Sequence, residues 1–248
     1  MEIREMITEI KGRLDTRGGL KAVIFVACGG SQAAIYPGKY LLEREANEIA
    51  VSIYNSNEFN YVTPKSLDER CIVICCSLKA TAETVHAVER ARQFGAVTIA
   101  MTGSPETGMA KAGEYVVVYS NGDEQIYSQS NQSMALRLGF EILHQFEGYP
   151  LYHEAMAAFD QIDAIVAESK RSMLPAAQSF AVEYQNDPLF QVLGAGPLYG
   201  TAYSMANCHF MEMHWRNAII HISLYFCNSK QTTKNRVLSK RFLHTPPA

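Results

Sequence analysis

Several features are missing from this chain, and each absence removes a class of function. No early apolar run is flanked by basic residues, and no stretch is long enough in apolar residues to span a bilayer, so neither secretion nor membrane insertion is expected. Excess charge of either sign is missing too: 22 Lys and Arg stand against 25 Asp and Glu, a formal net charge of -3 that argues against nucleic acid as a partner. The 6 cysteines form no CxxC pair and no regular disulfide spacing. Cys28, Cys71, Cys75, Cys76, Cys208 and Cys227 fall mostly inside apolar runs, as reduced core residues do, and the expected location is the cytoplasm. What is present is apolar residue in quantity: 48% of 248 residues, enough for a full core in one large or two modest domains.

The apolar residues are grouped in short β-branched runs that alternate with helical patterns. Met1–Gly18 reads as a helix closed by Arg17-Gly18-Gly19. Ala22–Ala27 reads as a strand buried on both faces, breaking into Cys28-Gly29-Gly30-Ser31 before a helix through about Glu45. Further strands are expected at Ile49–Tyr54, Cys71–Cys76, Val97–Met101 and Tyr115–Tyr119, with a helix over Thr84–Phe94 ended by Gly95. This order predicts a doubly wound α/β fold with a mostly parallel five-stranded sheet. A polar patch, Tyr127–Ser133, leads into a helix over Ala135–Phe146, and Gly148-Tyr149-Pro150 breaks the pattern. The first domain is therefore expected at 1–150. A long helical stretch from Tyr152 to Tyr184, a strand and glycine loop at Phe190–Pro197, and a helix over Tyr199–Trp215 then open a second domain at 151–227. Val192-Leu193-Gly194-Ala195-Gly196-Pro197 faintly repeats Val26-Ala27-Cys28-Gly29-Gly30-Ser31. Residues 228–248 read as a basic tail without another strand–helix unit.

The stretch Val73–Thr84 carries the clearest chemistry. A buried strand stops in hydroxyl residues and passes into a helix, so Ser77, Thr81 and Thr84 offer donors beside unpaired N–H groups and the positive end of a helix dipole. An anion suits this arrangement. An ordinary strand-to-helix turn, with Thr81 as N-cap and Glu83 as a first-turn charge, accounts for the same residues.

In combination these loops resemble the sugar isomerase (SIS) fold, and within it the two-domain proteins that include fructosamine 6-phosphate deglycases and the isomerase half of glutamine–fructose-6-phosphate transaminase. The residues carrying the resemblance are Cys28-Gly29-Gly30-Ser31, Asn57-Glu58-Phe59-Asn60-Tyr61, Ser77–Thr84, and Gly194-Ala195-Gly196-Pro197 with its helix ending in Phe210-Met211-Glu212-Met213-His214-Trp215. The similarity spans about Gly18 to His221 and is nearest to the deglycase branch. It implies that Ser31, Ser77, Lys79, Thr81 and Thr84 hold a sugar phosphate, that Gly30 and Glu58 belong to the substrate pocket, and that Glu212 moves protons between the first two sugar carbons. One departure is visible: where the family has a glycine in its second loop this chain has Ala80, and the loop is a residue shorter.

The implied function is a deglycase that splits a 6-phosphorylated fructosamine into a hexose 6-phosphate and an amine or amino acid, with no cofactor. An aldose–ketose isomerase and a non-catalytic sugar-phosphate-binding module are the alternatives. His209, Glu212 and His214 invite a zinc reading, but on an α-helix His209 and His214 face different ways, so no metal site is expected. The resemblance weakens after this helix. The family continues into Ser-Gly-Glu-x-x-His-Gly-Pro, whereas this chain reads His221-Ile222-Ser223-Leu224-Tyr225-Phe226-Cys227-Asn228, as a truncated or frame-altered member would. Apolar surface left open by a part-length second domain points to a homodimer.

Overall fold

The computed structural model describes residues 2–120, 122 and 125–222, so the readings placed on the tail after Cys227 fall outside the described residues. The chain divides into two compact units, Met1–Asn186 and Asp187–Ala248. Its elements run α1 (Ile3–Asp15), β1 (Ala22–Ala27), α2 (Gly29–Glu45), β2 (Ala50–Asn55), α3 (Ser56–Tyr61), β3 (Cys71–Cys76), α4 (Ala82–Gln93), β4 (Val97–Thr102), α5 (Gly108–Ala112), β5 (Tyr115–Val118), a 3-10 turn (Tyr127–Gln129), α6 (Asn131–Glu147), α7 (Tyr152–Phe159), α8 (Ile162–Glu183), β6 (Phe190–Gly194), α9 (Tyr199–Tyr203), a π-helix (Ser204–Met213) and β7 (Ala218–Ile222).

In the first unit five strands form one sheet in the order β2-β1-β3-β4-β5, and every pairing is parallel. β1, β3 and β4 are buried along their whole length, which is why their sequences are continuous apolar runs rather than alternations. The two faces are covered by different helices. Val23, Phe25 and Ala27 of β1 and Ile72, Ile74 and Cys76 of β3 join Ile7 and Ile10 of α1, Ile35 and Leu42 of α2 and Leu138 and Ile142 of α6. The alternate residues, Ile24 and Val26 with Val73 and Cys75, meet Phe59 of α3, Ala87 and Val88 of α4 and Met109 of α5. The helix after β1 thus covers one face and those after β2, β3 and β4 the other, with the change of side between β1 and β3.

On the first face α2 and α6 pack backbone to backbone. A Cβ built on Gly38 would lie 2.5 Å from the Ala135 carbonyl oxygen. At its far end α6 is tied to the start of β2 by Glu147, whose carboxylate accepts the N–H groups of Asn47 (2.7 Å), Glu48 (2.9 Å) and Ile49 (3.2 Å).

Four local expectations differ from the structure. After the strand expected at Ile49–Tyr54 comes a short helix that the sequence reading lacked: Asn55 caps it, its side chain accepting the Asn57 N–H. The stretch from Tyr152 to Tyr184 is two helices, α7 and α8, separated at Asp160 and Gln161, and α7 packs in the first unit, with Tyr152 stacked on His144 at 3.9 Å. The helix expected over Tyr199–Trp215 is a short α-helix continued by ten residues of π-helix. A strand unforeseen in the sequence, β7, pairs in parallel with β6 and so gives the second unit a β–helix–β core, in which the Phe190 and Phe210 rings stack at 4.4 Å.

Candidate functional site

All five parallel strands end at one edge, and their register sets the loops beside one another. Ala27 lies opposite Asn55 on one side and Cys76 on the other, so Cys28, Ser56 and Ser77 leave the sheet at the same level. Since α2 and α4 cover opposite faces, their N-termini flank the crevice beyond the ends of β1 and β3, where doubly wound sheets bind ligands.

Each of these helices begins without a side-chain cap. Cys28 occupies the N-cap of α2 and makes no capping bond; Gly29, at φ 51, turns the chain into the helix, and the Ser31 and Gln32 N–H groups reach back to the Cys28 carbonyl. Thr81 is the N-cap of α4, yet its hydroxyl makes no cap either, because it is paired with Ser77 Oγ at 2.9 Å. Ser77 is buried, accepts the Thr81 N–H at 2.9 Å, and donates its own N–H to Met101 O at 3.0 Å. Ser77 and Thr81 therefore fold the loop upon itself and leave the first N–H groups of α4 turned out with the dipole end, an arrangement that attracts anions. Between them Ala80 is held at φ 58, a left-handed conformation that favours glycine.

The remaining residues singled out in the sequence occupy distinct places. Gly30 and Lys79 are exposed beside the crevice loops, and none of the described ion pairs involves Lys79. Glu58 is exposed on α3, next to fully buried Phe59. Thr84 is fully buried, and its hydroxyl pairs with that of buried Ser56 at 2.9 Å, fastening the first turn of α4 to that of α3. Glu212 belongs to the second unit and is exposed on the π-helix. There a turn closes over five residues, with the His214 N–H donating to His209 O at 3.0 Å. The α-helical spacing used to place His209 and His214 in the sequence therefore does not hold along this segment. Among the described residues no three His, Cys, Asp or Glu side chains gather as a metal would require.

A buried group at the crevice went unrecognised in the sequence. Tyr119, at 3% exposure, follows β5 and hydrogen-bonds Cys76 at 3.8 Å, and it also meets Ser31 and Asn131. Burial, reinforced by Cys76, keeps its hydroxyl protonated far above the ordinary phenol range. Burial likewise pushes the Cys76 thiol up to about 12, and Cys75 higher still, so neither supplies a thiolate near neutral pH. The only hint of Tyr119 in the sequence is an aromatic residue closing a strand before Ser120-Asn121-Gly122.

A family model described as SIS domain matches residues 20–141. A fructosamine deglycase of Bacillus subtilis, FrlB, is 35% identical over 227 residues, covering 91% of this chain and 68% of its own length. The chain belongs to the SIS domain family. Within it the chain is also similar to the fructoselysine 6-phosphate deglycase of Escherichia coli K12, 35% identical over 80% of this chain and 57% of that protein. A Salmonella typhimurium protein solved as a candidate phosphosugar isomerase superposes with a TM-score of 0.86 at 35% identity, over 91% of this chain and 68% of that one. The chain thus spans about two thirds of FrlB and less of the Escherichia coli enzyme.

Proposed function

We propose that this chain handles a sugar phosphate as a deglycase, converting a 6-phosphorylated fructosamine and water into a hexose 6-phosphate and the free amine. The observation that carries the reading is the identity to FrlB over 91% of the chain, joined to a crevice flanked by two uncapped helix N-termini. In this reading the phosphate sits between the Cys28–Ser31 and Ser77–Thr81 loops, with Lys79 supplying a positive charge and Gly30 and Glu58 bordering the sugar. Glu212 acts as the base. It takes the proton from C1 of the ketoamine, giving an enolamine, and returns it to C2. The resulting C1 imine adds water and expels the amine, so the atoms balance without any redox step. Homodimerisation belongs to the same proposal.

The test is release of amine and hexose 6-phosphate from fructoselysine 6-phosphate. The expected result is turnover by the full chain, lost in Glu212→Gln by about a hundredfold or more while sugar-phosphate binding persists. Binding without amine release from the unmodified chain overturns the deglycase reading, and interconversion of aldose and ketose phosphates under the same conditions would assign the isomerase instead.

A further inference from the structure

We propose that Ser56 and Asn60 are positioning residues: by clasping α3 to the first turn of α4 they set the distance from Glu58 to the phosphate loop, and so fit the crevice to a sugar phosphate rather than to a bare phosphate. The inference rests on the proposed reading of the crevice as the sugar-phosphate site.

The sheet alone does not fix that distance. β2 and β3 are not neighbours; both pair with β1, which lies between them, so their ends stand two strand spacings apart, about 9.5 Å. The helices that follow them nevertheless meet on the face opposite α2, where Phe59 of α3 is buried in one cluster with Ala87 and Val88 of α4. Apolar packing of this kind has no direction and leaves sliding open. Two hydrogen bonds remove the freedom. Ser56 Oγ lies 2.9 Å from Thr84 Oγ1, and both residues are 0% exposed. One turn further along α3, Asn60 donates from Nδ2 to the Glu83 carbonyl oxygen at 2.9 Å. Ser56 and Asn60, four apart, share one face of α3, and their partners are adjacent residues in the first turn of α4, so the two bonds together fix rotation as well as spacing. Exposed Glu58, two residues from each, lies on the other side of α3. The phosphate loop has a separate support, since Ser77 holds both the hydroxyl and the N–H of Thr81. The clasp therefore decides where Glu58 stands and leaves the fold of the phosphate loop to Ser77 and Thr81. Nor is it built for stability alone: Asn60 Oδ1 stays buried without a partner among the described residues, which reduces the net gain from the Nδ2 bond.

The experiment uses the full chain, titrated by calorimetry with glucose 6-phosphate and with inorganic phosphate and unfolded in urea. Ser56→Ala, which leaves the Thr84 hydroxyl buried and unpaired, is expected to weaken glucose 6-phosphate by about tenfold and inorganic phosphate by less than about twofold. Combining it with Thr84→Val replaces both hydroxyls by apolar groups of similar shape. The urea midpoint of the double variant should return close to that of the parent while its affinity for glucose 6-phosphate stays low, a separation that a merely structural pair would not give. The double variant also serves if Ser56→Ala does not fold. Unchanged affinity for glucose 6-phosphate in Ser56→Ala, an equal loss for inorganic phosphate, or recovery of affinity together with stability in the double variant overturns the inference. A parent chain that binds neither ligand overturns the phosphate-site reading itself, a result readily told apart from the other three.

Discussion

Ala80 shows how a single side chain can be legible as an oddity before its cause is known. In sequence it stands where the family has glycine, and in the structure it is held at φ 58. A Cβ in that conformation costs about 1–2 kcal/mol, while a glycine would loosen the unfolded chain by about 0.4–1 kcal/mol, so relief of strain wins. Ala80→Gly is therefore expected to stabilise the chain by roughly 0.5–1 kcal/mol, seen as a higher urea midpoint with an unchanged slope. A lower midpoint would mean that the loop is not strained there. The hydroxyl residues were legible as a set and not in their individual parts. Ser77 and Thr81 bind each other, and Thr84 faces inward to Ser56. Those partners come from side-chain directions that the one-dimensional pattern does not encode, and Tyr119 escaped for the same reason.

The central strands were readable almost to the residue, because burial on both faces writes an unbroken apolar run that few other structures produce. Cys71–Cys76 is the clearest case. Elements whose identity depends on hydrogen-bond bookkeeping were not readable: α3 is six residues long, and nothing in Ser204–Met213 distinguishes i→i+5 from i→i+4 bonding. Nor does the sequence reveal which helices touch. The α2–α6 crossing depends on the missing side chain of Gly38, facing the Ala135 carbonyl. Gly38→Ala should force the helices apart and cost about 1–3 kcal/mol in urea unfolding, despite the better helix propensity of alanine. An unchanged or raised midpoint would show that the two helices can separate freely.

At the scale of the molecule, stability should decline on the alkaline side. Burial, with help from Glu9, raises the Tyr115 hydroxyl from 10.0 to about 12, and burial with Glu141 does the same for Tyr152. These groups keep their protons longer folded than unfolded, so their contribution is complete below pH 10 and is lost as pH rises toward 12. Urea midpoints should therefore fall between about pH 10 and about pH 12, and Tyr115→Phe should flatten that fall. An equal slope in the variant would assign the loss to other groups.

Helix α6 also has a mechanical side. Its 17 residues make a rod of about 25 Å. One tip carries Asn131 at the crevice, and the other is riveted through Glu147 to the opposite edge of the sheet. A tilt of only about 3° around that rivet would swing the crevice tip by more than about 1 Å, a displacement large enough to disturb a catalytic geometry. The carboxylate of Glu147 is thus the pivot of a lever whose other arm ends at the crevice.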